Sequence, residues 1–197
     1  MEKKENKKES WLNYSISTLQ MEMISNLTNM WRAYTENSFF NEEARQKFHE
    51  ESQKENCEQA YKDYAEGTVE EQLSKLLLTV MGCADHFDVK LSTEYRFGPA
   101  VSKLNDFGEN CCIIINYITS GLLERTEYDA VLNMLLTDIL KLCRIYELDI
   151  YDFICAGKYE FNRGGITNSL VIKAELLQIS EKIDEDRKAK EKNGKNE

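Results

Sequence analysis

Proline is almost absent from this chain. Pro99 is the single one in 197 residues, and only nine glycines accompany it. Sandwiches and barrels built from many turns need more of both residues. Their scarcity points to long helices, which proline interrupts most strongly. Histidine is scarce too, with His49 and His86 alone, so the six cysteines find no partners at metal-finger spacing. Most of those cysteines lie in apolar helical stretches, for example Cys83 after Val80 and Met81, and Cys143 after Leu140 and Leu142. They read as buried, reduced thiols. No apolar run approaches the length needed to span a bilayer, so no membrane contact is expected. The charged first residues lack a signal-peptide core, so the expected location is cytoplasmic. Excess positive charge is also missing. Lysine and arginine number 25 against 35 acids, a net charge of −10 that argues against nucleic acid as a partner.

What remains is an apolar pattern of helical period. Leu12, Ile16, Leu19, Met23, Leu27, Met30 and Tyr34 recur at spacings of three and four and predict a first helix over 10–34, capped by Ser10. Such a stripe serves a core or a helix seam, and a homodimer through this helix is one expectation. A polar second helix is expected over 41–65 behind an Asn41 cap, ended by Gly67. Thr68 followed by Glu71 forms a capping box that opens a third helix to about 85. A fourth is expected from Pro99 or Ala100 to 119. Its β-branched stretch Cys111–Ile115 leaves a short strand as the alternative, although no partner strand is visible. A fifth over 124–146 is apolar nearly all round and belongs at the centre of a bundle. A short sixth covers 149–161, and a last one 168–182. The expected fold class is therefore all-α, a helical bundle over 10–183 between a loose N-terminal tail (1–9) and a charged C-terminal tail (184–197).

The sequence also carries a candidate internal repeat. Glu55-Asn-Cys is matched by Glu109-Asn-Cys, with Gly67 and Gly121 each twelve residues further on. Apolar helices and then Asp88 or Asp149 follow, with seven extra residues in the second copy. Two half-units, 40–98 and 99–165, are the expected division.

Two clusters could carry chemistry. Glu55 and Glu58, three apart on a helix, place both carboxylates on one face, where a hard cation such as Mg²⁺ finds oxygen ligands. Glu71 on the next helix could add a third. Such pairs also arise as plain solvated faces. Lys158, Asn162 and Arg163 converge near the end of the sixth helix, where they suit phosphate oxygens or an ordinary helix C-terminus.

The order of these pieces resembles the MazG-like, all-α nucleoside triphosphate pyrophosphohydrolases: Glu55-x-x-Glu58, an acidic helix start, an apolar helix, Leu148-Asp-Ile, then Lys158-Tyr-Glu-Phe-Asn162-Arg163. The resemblance spans about residues 40–163. It implies helical bundles that are dimers or fused dimers, and Mg²⁺-dependent hydrolysis of nucleoside triphosphates to monophosphate and pyrophosphate. It also implies metal ligation by Glu55, Glu58 and Glu71, and nucleotide contacts from Lys158, Asn162 and Arg163. The second metal motif of that family, Glu-x-x-Asp, reads here as Glu71-Gln-Leu-Ser74 or Gln72-Leu-Ser-Lys75, neither with the aspartate. The second copy has Cys112 where the first has Glu58. The other reading is accordingly a catalytically silent, nucleotide-sensing or protein-interaction module on the same scaffold.

Overall fold

The computed structural model describes residues 15–52, 57–94, 100–121, 128–155 and 166–194. Among them it contains eight α-helices and no strand, so the fold is all-α. These are α1 (Ile16–Thr35), α2 (Glu42–Ser52), α3 (Cys57–Tyr64), α4 (Val69–His86), α5 (Phe107–Gly121), α6 (Tyr128–Tyr146), α7 (Tyr151–Cys155) and α8 (Ile166–Gly194). No helix among the described residues is long and apolar enough to cross a membrane.

Four helices enclose the main core. α1 packs on α4 and α5, and α6 packs on the same two from the opposite side. Neighbours run antiparallel. Val69 N–H donates to Ser38 O at 2.9 Å, which joins the end of α1 to the start of α4. At the other end of α1, Gln20 Nε2 donates to Ile118 O near the end of α5 at 3.1 Å. The stripe expected on the first helix is used here: Leu19, Met23, Leu27 and Met30 are fully buried against the chain's own helices, so these residues are not free to form a dimer seam. Burying one such side chain stabilises by about 1.5–3 kcal/mol. Tyr34, Phe107 and Tyr146 close one end of the ring, with Tyr34 stacked on Phe107 at 3.9 Å.

α4 and α5 both start from that end, and the described residues 87–94 and 100–106 lie between them along the bundle. Buried polar side chains hold this strap. Asn133 Oδ1 accepts from Ser92 N, Asp138 Oδ1 accepts from Ala100 N and Val101 N, and Asn110 Oδ1 accepts from Ser102 N. A strap crossing apolar helices would otherwise leave its N–H groups unpaired.

Helix ends differ from the expected ones for local reasons. The described N-cap of α1 is Ser15, whose Oγ accepts from Thr18 N; Ser10 lies outside the described residues. The single helix expected over 41–65 is two, α2 and α3, which pack against each other. α5 starts at Phe107 rather than Pro99 or Ala100, because Asp106 and Glu109 form a reciprocal capping box of 2.7 and 3.0 Å. Cys111–Ile115 is helical. The segment expected as a loose charged tail continues α8 to Gly194, tied by Lys190 to Glu147 at 2.7 Å.

α1, α4 and α6 end alike without glycine. Asn37, Asp88 and Glu147 take positive φ of 57°, 55° and 53°. The next N–H reaches back five residues in each case, as with Val89 to Ala84 O and Leu148 to Cys143 O. Asp88 and Glu147 stand 59 positions apart (147 less 88). At that offset the buried Leu73, Leu76, Leu77, Val80 and Met81 of α4 fall on the buried Leu132, Leu135, Leu136, Ile139 and Leu140 of α6. The Glu-Asn-Cys triplets do not mark equivalent elements. Cys57 opens a short hairpin helix, whereas Glu109-Asn-Cys lies in a main-ring helix.

Candidate functional site

The sequence places its acids around the turn between α3 and α4. Gly67, at φ 80°, lets the chain reverse there, a conformation glycine adopts without steric cost. Thr68 Oγ1 then accepts from Glu71 N, so the expected capping box starts α4. The other half of that box differs. Glu71 does not return to the Thr68 N–H.

Glu71 is 0% exposed. Oε1 accepts from the Tyr61 hydroxyl on α3 and pairs with Lys75 Nζ at 2.5 Å. Oε2 accepts from Gln72 Nε2 at 2.5 Å and from Gly67 N at 3.4 Å. Both oxygens are therefore engaged by donors of the protein, one of them cationic. Ser74, in the place where the resembled motif has aspartate, donates its hydroxyl to Glu71 O at 2.7 Å.

Glu58 lies elsewhere. Its side chain is 80% exposed and pairs with Lys62, one turn on, at 2.9 Å. It does not face Glu71 in a shared cleft. Glu55, Lys158, Asn162 and Arg163 lie outside the described residues. Among the described residues no group of three or more His, Cys, Asp or Glu side chains is placed to hold a metal ion. The described donors thus do not fit Mg²⁺, which needs oxygens with free lone pairs converging at octahedral distances.

Neighbouring acids are equally committed. Glu70 Oε2 accepts from Phe40 N at 2.8 Å, and burial pushes its carboxyl above the usual range. Asp149, from the Leu-Asp-Ile segment, caps Tyr151 N, accepts from Ser180 Oγ at 2.7 Å and pairs with Arg45 at 2.9 Å. This network fastens the α2–α3 hairpin to α7 and α8. A small second core of Phe40, Tyr61, Ala65 and Phe153 packs beneath it.

The spacing of residues could not reveal these roles. Tyr61 reaches Glu71 only because the chain turns at Gly67, and Arg45 reaches Asp149 across a hundred residues. One local signal did exist: Asn133 and Asp138 interrupt an otherwise apolar helix, as buried polar anchors do. Compared with family models, with curated proteins and with solved structures, the chain matches none.

Proposed function

We propose that this chain is a catalytically silent helical module that senses a nucleotide on a MazG-like scaffold without metal-dependent turnover. The state of Glu71 carries the reading: a fully buried carboxylate with four donors holds α3 to α4 and has no lone pair left to offer a cation. The exposed, lysine-paired Glu58 and the serine in the aspartate position support it. Lys158, Asn162 and Arg163 supply the phosphate-binding chemistry in this proposal.

The scaffold is read as two fused half-units. The matching caps and burial of α4 and α6 support that division at an offset of 59 residues. At that offset Ser74 corresponds to Asn133, whose amide is committed to Ser92 and Lys90 of the strap. Both halves would then lack the carboxylate that completes a metal motif.

Mg²⁺-dependent hydrolysis is the second reading, favoured by the order of Glu55-x-x-Glu58 and Lys158-x-x-x-Asn162 along the chain. It requires Glu71 to leave its partners. Incubation with mixed nucleoside triphosphates and Mg²⁺ separates the two. The silent module yields no monophosphate or pyrophosphate above buffer and binds a fluorescent nucleotide equally well in chelator. Turnover abolished by Glu58→Gln would establish the enzyme instead.

A further inference from the structure

Between the last turns of α1 and the start of α4 lies an open cleft of about 390 Å³. Asn29, Arg32 and Glu36 line it from α1, and Glu66, Gln72 and Lys75 from the turn and α4. We propose that this cleft binds a small dipolar molecule, its anionic group held by Arg32 and Lys75 and its amine by Glu36 and Glu66. The inference goes beyond the reading above, since it calls on neither metal nor nucleotide.

The layout of charge carries it. α1 and α4 run antiparallel, so Glu36 at the end of α1 lies beside the turn that bears Glu66. Arg32 stands one turn deeper on α1, roughly 6 Å along the axis. Lys75 comes from the second turn of α4. The acids of the cleft thus lie at the α3–α4 turn and the cations farther along the two helices. Among the described residues Arg32 makes no ion pair. It turns back to Asn29 Oδ1 at 2.6 Å instead of forward to Glu36, the carboxylate four residues on. Neither Glu36 nor Glu66 is within salt-bridge distance of a cation among the described residues. A shared opening therefore holds charges of both signs: Arg32, Glu36 and Glu66 outside any ion pair among the described residues, and Lys75 held by Glu71. Gln72, nearly buried, forms part of the wall while its amide nitrogen donates to Glu71.

Lys75 links the cleft to the fold. Its ammonium sits on Glu71, so an anion drawn to Lys75 shares that contact, and the Glu71–Tyr61 bond registers the change.

The test uses the full chain at low salt and four probes: inorganic phosphate, ethanolamine, phosphoethanolamine and γ-aminobutyrate. Backbone amide shifts are followed in a nitrogen–proton correlation spectrum. The expected result is saturable shifts at residues 29–36 and 66–75 with phosphoethanolamine or γ-aminobutyrate. Whichever binds better fixes the anionic group as phosphate or carboxylate. If phosphoethanolamine is that probe, it binds up to about fivefold more tightly than phosphate alone, the worth of one partly exposed ion pair. Arg32→Ala, at an exposed position, abolishes saturation. The double variant Glu36→Gln, Glu66→Gln removes the advantage that the amine confers. Absence of saturation with both dipolar probes, equal response to all four, or indifference to Arg32→Ala would overturn the proposal.

Discussion

Glu71→Gln asks whether the first turn of α4 holds structure or chemistry. The amide keeps the size of the side chain and one carbonyl oxygen, which can still receive the Tyr61 hydroxyl. The other position becomes an NH₂ facing Gln72 Nε2 and Gly67 N–H, donor against donor, and Lys75 loses its carboxylate. Hydrogen bonds to a charged partner contribute about 1.5–3 kcal/mol, and a buried polar group left unpaired costs about 1–3 kcal/mol. Lys75 is partly solvated, so its ion pair adds little beyond the hydrogen bonds. The expected loss is about 3 kcal/mol, a fall in Tm of roughly 6–12 °C for a chain of this length. Calorimetry or circular dichroism at neutral pH reads it. Tyr61→Phe removes one donor of the same network, so the double variant should lose less than the sum of the single losses. A Glu71→Gln protein that melts within about 1 °C of the parent, or above it, would refute a structural role.

Other outcomes follow from the same geometry. Burial pushes the thiols of Cys83, Cys111 and Cys143 up to about 12, whereas Cys112 is exposed. Of these four, alkylation of the folded protein near neutral pH should label Cys112 alone, and peptide mapping after unfolding should recover the rest. Asp138 is buried with Oδ2 unpartnered, and burial raises its pKa above the usual 3.8. The folded state then holds that proton longer than the unfolded chain, so its ionisation destabilises the fold as pH rises through this window. Asp138→Asn keeps the oxygen that receives Ala100 N and Val101 N. Chemical denaturation should show its stability gaining on the parent as pH rises above about 4. Glu147, at φ 53°, should accept glycine with a gain of about 0.5–1 kcal/mol, since a side chain there costs about 1–2 kcal/mol and the Lys190 pair lost with it is worth less.

The fold was legible where its cause is local. The apolar stripe of α1, the Thr68 cap and the all-round apolar α6 each follow from residues within a few turns, and each is present. Boundaries were read less well where two local signals competed. Pro99 drew the start of the fourth helix forward, while Asp106-x-x-Glu109, an equally good capping signal, sets it. Glycine marks the stops at Gly67 and Gly121, but the ends of α1, α4 and α6 carry no such signal, because Asn37, Asp88 and Glu147 take a positive φ sustained by the bonds of the whole cap. The long charged end reads as loose because it lacks apolar residues, but Lys190 and Arg187 anchor it through contacts far along the chain. The acids around Glu71 were legible as residues and not as roles. Spacing reports that two carboxylates share a helix face. It does not report that a tyrosine, an amide and a lysine occupy Glu71 on the next helix.

The central claim is that the described acids do not assemble a divalent-cation site. Titration of Mn²⁺ into the full chain, followed by water-proton relaxation, tests it most directly. No saturable binding is expected in the millimolar range, and Glu58→Gln should respond as the parent protein does. A saturable site that disappears in both Glu58→Gln and Glu71→Gln, in variants shown to be folded, would contradict it and return the metal-dependent reading.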